Sequence, residues 1–213
     1  MGKVIAVDGT AASGKGTIAK KLAEHLNYAY LDTGKLYRAV GYGVVRFGGD
    51  AEDPEAALDA ANSLNYTQLD DPALKSDEAA QAASKVAAMP DVRAALLAFQ
   101  QNFASNPPVG TEGAILDGRD IGTVVCPDAD SKIYMTASVE IRAERRHKEL
   151  IQRGESSIYT RVLEDLKERD QRDSNRAVAP LKPADDAEII DTSDLSIDEA
   201  FQAALNAVGI SNS

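Results

Sequence analysis

Apolar residues in this chain gather into five short runs, separated by longer stretches in which they recur at helical spacing. Val4 to Val7, Tyr28 to Asp32, Ala114 to Asp117, Lys132 to Met135 and Glu188 to Asp191 each read as strands. After the first run, apolar residues at 18, 19, 22, 23 and 26 mark one face of a helix. Helical patterns follow over Lys35 to Val40, Ser76 to Ala88, Asp91 to Phe103, Glu140 to Gln152 and Ser157 to Gln171. A last helix, capped by Ser196, carries Ile197, Ala200, Phe201, Ala204, Leu205 and Val208 as its apolar stripe. Strands alternating with helices predict an α/β fold: a five-stranded parallel sheet with helices on both faces. Residues 48–75 break the rhythm with turn signals at Gly48-Gly49-Asp50, Asp53-Pro54 and Asp70-Asp71-Pro72. That stretch reads as a small, loosely built inserted lobe, with Asn65 to Leu69 as a short strand. Residues Asn175 to Pro183 read as irregular chain.

The first strand runs into Asp8-Gly-Thr-Ala-Ala-Ser-Gly-Lys-Gly-Thr17. Strand, glycine-bounded turn, lysine and helix in that order form a P-loop, and with it a P-loop NTPase three-layer fold is expected. Gly9 and Gly14 let the backbone curl, so that the N–H groups of Thr10, Ala11, Ala12 and Ser13 can meet phosphate oxygens. The helix that begins near Lys15 adds the positive end of its dipole. Lys15 supplies a point charge for the β- and γ-phosphates of ATP. Gly16 stands where Ser or Thr is usual, so Thr17 takes the role of the hydroxyl near Mg²⁺. Gly-Lys-Gly-Thr is the form seen in nucleoside monophosphate kinases.

Composition narrows the partners. The chain has 213 residues, 44% hydrophobic and 27% charged, enough for one sizeable core. A net charge of −11 argues against nucleic-acid binding. Positive charge is nevertheless concentrated locally, since eight of the twelve arginines lie between Arg142 and Arg176. Arg142, Arg145, Arg146, Arg153 and Arg161 read as solvated or paired with Glu140, Glu144 and Glu149, with Arg145 or Arg146 within possible reach of ATP. The single cysteine, Cys126, reads as an ordinary buried thiol, and the two histidines are too scattered for a zinc site. No apolar stretch reaches the length of a membrane helix and no signal peptide is evident, so a cytoplasmic protein is expected.

A P-loop specifies a nucleoside triphosphate, not an activity. A guanine-reading Asn-Lys-x-Asp segment is absent, which argues against a GTPase. A kinase for a small acceptor needs a second anion site and a mobile cover that bears arginines. Thr33, Arg38 and Arg119 stand just past strand ends, where open α/β sheets bind ligands. Thr33 also reads as a helix cap, and Tyr37 and Arg38 lie one turn into that helix. Asp117 ends an apolar strand, a Walker-B-like placement suited to Mg²⁺ through water. Arg169, Arg172 and Arg176 flank Asp170 and Asp173 where helix gives way to irregular chain.

With these motifs the chain resembles the bacterial cytidylate kinases almost from end to end. The matching stretches are the P-loop, Leu31-Asp-Thr-Gly-Lys-Leu-Tyr-Arg38, Asp117-Gly-Arg-Asp-Ile-Gly-Thr-Val-Val125 and Glu168-Arg-Asp-Gln-Arg-Asp-Ser-Asn-Arg176, continuing through Leu181. The first is shared by many kinases; the third and fourth together are more specific. The resemblance implies transfer of the γ-phosphoryl group of ATP to CMP or dCMP, with Mg²⁺. It implies that Ser84, Arg93, Arg119 and Asp120 surround the cytosine and its phosphate. It further implies that Arg38 and Arg176 contact the acceptor phosphate, that Asp173 holds the ribose hydroxyls, and that Arg169 and Arg172 act from a closing lid. Cytosine offers an N4 amino donor where uracil offers an oxygen, which suits Asp120 as the residue that tells CMP from UMP. The resemblance also divides the chain into a core (about 1–32, 110–165 and 183–213), an acceptor-binding lobe (about 33–109) and a lid (about 166–182). Two departures stand out: the lobe over 48–75 is short for the family, and Thr33 replaces a common serine. A UMP or AMP kinase and a non-catalytic ATP sensor remain as alternatives. A monomer is expected, because no long apolar stripe is left over.

Overall fold

The structure is a computed structural model and describes residues 2–210. Strands β1 (Lys3–Gly9), β2 (Ala29–Asp32), β3 (Gly113–Gly118), β4 (Ser131–Thr136) and β5 (Glu188–Asp191) form one sheet in the order β2-β3-β1-β4-β5. β1 pairs in parallel with both β3 and β4, and β4 with β5. The register sets Val7 beside Asp117 and Asp8 beside Gly118. Successive side chains of a strand face opposite ways. Val7, Ile115, Ile133 and Met135 join one apolar cluster with Ile18 and Leu22 of α1 (Lys15–Leu26) and Ala204 and Leu205 of α8 (Ile197–Ala207). Ala6, Ala114 and Leu116, at the alternate positions, are also fully buried. A sheet buried on both faces explains why its central strands are continuously apolar rather than alternating.

The chain divides into two compact units. One is built from residues up to Leu31 and from Ala104 onward; the other is Asp32–Phe103. The second unit holds α2 (Thr33–Val45), α3 (Pro54–Asn62), α4 (Asp77–Val86) and most of α5 (Pro90–Ser105). It has a core of its own, in which Leu36, Val40, Val86, Val92 and Leu96 are completely buried. The reading of residues 48–75 as loosely built is therefore wrong in part. Asp53 caps α3 by accepting the N–H groups of Glu55 and Ala56, and Pro54 takes the first helical position, where its missing N–H costs nothing. Asn65 to Leu69 is no strand: Tyr66–Gln68 is a single 3₁₀ turn capped by Asn65, and the Tyr66 ring stacks on Phe99 at 3.9 Å.

Two further boundaries differ from the pattern. Pro90 begins α5 instead of standing outside it. Arg172 joins Arg169 inside α7 (Tyr159–Ser174), which follows α6 (Val139–Gln152). α7 runs three residues beyond the apolar periodicity, because a buried Asp173 in its last turn replaces apolar burial. At the other end of the chain, Ser196 and Glu199 make a reciprocal capping box on α8.

Candidate active site

β1 ends at Gly9, whose φ is +149° and whose backbone runs against β4 so closely that a Cβ would fall 1.9 Å from the carbonyl oxygen of Met135. Only glycine fits there. The loop then turns through Ala12, with φ +59°, into Gly14, with φ +87°, which stands at the N-cap of α1. Ser13 is buried and donates its hydroxyl to the Thr10 carbonyl, closing the turn on itself. No acidic residue occupies the first turn of α1, as in α2 and α7, whereas α3, α4, α5, α6 and α8 carry at least one. At α1 the glycine N-cap adds no side-chain acceptor, so the positive end of the helix opens on the P-loop.

Lys15 Nζ lies 3.4 Å from Oδ1 of Asp117, and the Tyr30 hydroxyl donates to Oδ2 of the same carboxylate at 3.1 Å. A Cβ at Gly16 would stand 3.1 Å from that Oδ2, so a Ser or Thr in the usual place would press on Asp117. Glycine at this position leaves the Asp117 carboxylate room beside the turn. Thr17, one step on, is exposed. Among the described residues no three His, Cys, Asp or Glu side chains gather into a metal-binding cluster. One hydroxyl and one carboxylate suit Mg²⁺, which keeps several waters and takes phosphate oxygens rather than a protein cage.

Past the end of β3, Arg119 donates through Nε to Oδ2 of Asp173 at 3.2 Å and through Nη1 to the Gly118 carbonyl. Arg169 Nε lies 3.9 Å from the same Asp173 oxygen, and Arg176 Nε donates to the Asp173 carbonyl. Four of the expected site residues therefore converge on one point. Burial alone would raise the Asp173 carboxyl, but Arg119, Arg169 and Arg176 override it and hold the group below the usual carboxylate range. Arg172 is half-buried one turn along α7 from Arg169.

Asp120 is buried, and its carbonyl accepts the N–H groups of Val124 and Val125 in a one-turn π-helix, Ile121–Val125. Cys126, which ends this turn, is half-buried, and burial beside Asp8 pushes its thiol up to about 11, so it stays protonated and unreactive.

In the second unit, Thr33, Tyr37, Ser84 and Arg93 are all buried. Arg93 donates to the carbonyl of Ala87, where α4 ends, and lies over the Tyr37 ring at 5.4 Å. Arg38 pairs with Asp32 at 2.6 Å. Thr33 is not the cap of α2. It is the first residue of the helix, and Asp32 holds the cap position with its carboxylate turned to Arg38.

Arg142 is neither solvated nor paired with a nearby glutamate. It is buried, binds both oxygens of Asp170 at 3.1 and 2.5 Å, and donates to the carbonyls of Ala11 and Ala137. One guanidinium thus ties the P-loop to α6 and α7. A signal existed: Val139, Arg142, Ala143, Arg146 and Leu150 share one helical stripe, which places Arg142 on the inner face. Arg145 was also missed as a structural group, donating to the hydroxyl and carbonyl of Thr192, whose hydroxyl in turn bonds the Ser13 carbonyl. Arg146 and Arg153 do pair with Glu149 as expected.

A family model described as cytidylate kinase matches residues 5–209. A cytidylate kinase of Paramagnetospirillum magneticum is 59% identical over 98% of this chain and 99% of its own length. One from Rhodospirillum rubrum is 56% identical over 95% of each. Among solved structures, an unliganded sugar kinase from a Janibacter species superposes with a TM-score of 0.51 at 13% identity, covering 99% of this chain and 96% of its own, a likeness of fold alone. Among the described residues no helix is long and apolar enough to cross a membrane.

Proposed function

The chain belongs to the cytidylate kinase family, and on that premise we propose which of its residues carry the reaction. The enzyme transfers the γ-phosphoryl group of ATP to CMP or dCMP, giving CDP or dCDP and ADP. Gly9 to Thr17 hold the ATP phosphates, with Lys15 on the β- and γ-oxygens. Thr17 and, through water, Asp117 would hold the Mg²⁺ that accompanies ATP, which would supply neutralisation of phosphate charge. The observation that carries this reading is the convergence of Arg119, Arg169 and Arg176 on Asp173 in the same unit as the P-loop.

No general base is required. The attacking group is the CMP phosphate, whose second pKa of about 6 leaves it mostly dianionic at neutral pH. Alignment and charge neutralisation are then the whole task. Arg169 and Arg172 act on the transferring group. In the larger unit Arg119, Asp120, Asp173 and Arg176 bind the acceptor nucleotide, with Asp120 accepting from the cytosine amino group. In the smaller unit Thr33, Tyr37, Arg38, Ser84 and Arg93 do so, supported by the burial of four of these five side chains and by the orientation of Arg93. The protein acts as a cytoplasmic monomer.

ADP formation from ATP, with CMP, dCMP, UMP and AMP offered separately, tests this. Turnover with CMP and dCMP far above the others is expected, with D120N losing about tenfold in its preference for CMP over UMP. An unchanged preference in D120N removes Asp120 from that role. Preference for UMP or AMP in the natural enzyme overturns the acceptor site.

A further inference from the structure

Asp8 precedes the P-loop and is buried at the end of β1. Its two carboxylate oxygens accept different backbone amides: Oδ1 takes the N–H of Ile121 at 2.8 Å, and Oδ2 takes that of Gly122 at 2.7 Å. These two amides directly follow Asp120. The Asp120 carbonyl is itself held by Val124 and Val125, and the Ile121 carbonyl by the N–H of Cys126 at 2.7 Å. A tight turn whose own first two amides point out of it needs an outside acceptor, and Asp8 is that acceptor across 113 and 114 residues of sequence. The parallel register of β1 and β3 sets Asp8 beside Gly118, two residues before Asp120.

We propose that Asp8 is a positioning residue for the acceptor nucleotide: its carboxylate fixes the turn that presents Arg119 and Asp120. This rests on the reading of Asp120 as a contact to CMP. Asp8 acts through the backbone of the turn, whose Ile121 and Gly122 amides it accepts. A carboxylate is the side chain required, because both of its oxygens accept. In D8N one oxygen becomes an NH₂ group, which faces an N–H donor and forces the turn to move. The packing volume is unchanged, so the effect reads out the hydrogen bonds and not the core.

The test is steady-state kinetics of D8N, D120N and a core control, I5V, which removes one methyl group three residues earlier on the same strand. D8N is expected to raise the KM for CMP about tenfold while the KM for ATP stays within about twofold, the cost of losing one hydrogen bond to the turn and setting a donor against a donor. Its preference for CMP over UMP falls in parallel, and I5V changes neither. Equal rises in both KM values, or an unchanged KM for CMP, overturn the proposal. If D120N shifts the CMP to UMP ratio and D8N does not, the role of Asp8 fails while the reading of Asp120 stands. If D120N shifts nothing, that reading falls first and the inference with it. Should D8N not fold, amide hydrogen exchange of the natural enzyme decides: slow exchange at Ile121 and Gly122, unaltered by CMP, supports a turn held in advance, and fast exchange overturns it.

Discussion

Nε of Arg119 lies 3.2 Å from Oδ2 of Asp173, joining the turn after β3 to the last turn of α7 across 54 residues. Asp173 is only 4% exposed and meets the charges of three arginines. One carboxylate thus meets the charge of three of the six arginines proposed for the site.

Removing that carboxylate leaves Arg119, Arg169 and Arg176 repelling one another. D173N is expected to lose about 1–3 kcal/mol of stability at pH 7, less than a fully buried pair would cost because Arg119 and Arg169 are partly exposed. The sign follows from the lowered pKa. The stabilisation is complete above the ordinary carboxylate range and is lost as pH falls through the folded-state value. Urea unfolding at pH 7 and at pH 3 checks this: the gap between natural and D173N protein narrows in acid.

Arg169 acts on the transferring group rather than on ATP in its ground state. R169A is expected to lower turnover on the order of 10³-fold with ATP affinity nearly unchanged. Single-turnover rates beside equilibrium titration with ATP separate the two, and equal losses in both remove Arg169 from this role.

Arg142 combines a two-pronged bond to Asp170 with bonds to two carbonyls. A lysine ammonium cannot reproduce that fork. R142K is expected to cost about 2–4 kcal/mol and to lower the melting temperature by several degrees, since buried acceptors lose their donors. Calorimetry of R142K checks it, and a melting temperature equal to that of the natural protein contradicts it.

Asp8 gives the protein an opposite pH dependence to Asp173. Burial pushes its carboxyl up to about 7, against the pull of the Gly122 and Ile121 amides. The folded state therefore keeps a proton that the unfolded chain has released. The stability contributed by that proton is complete below the ordinary carboxylate range and is lost as pH rises to about 7. The difference in unfolding free energy between natural protein and D8N is expected to fall by up to about 1.4 kcal/mol per pH unit across that window. A difference independent of pH contradicts it.

The strands, the main helices and the P-loop are local facts, and the sequence by itself determined them. An apolar run buried on both faces, a helical stripe and a glycine-bounded turn depend on neighbours within a few residues. The resemblance of Asp117 to Val125 and of Glu168 to Arg176 to a known family likewise needed no coordinates. Tertiary structure alone decided the rest. It chose the order β2-β3-β1-β4-β5, which lays Asp8 beside Gly118 and makes the first residue of the P-loop stretch the anchor of the Asp120 turn. It buried Arg142, which composition places among solvated arginines, by supplying Asp170 and two carbonyls from distant elements. It also made a 3₁₀ turn of Tyr66–Gln68, because stacking on Phe99 outweighed the strand propensity of the segment. In each case the deciding energy comes from groups far apart in sequence, which no window of neighbouring residues contains.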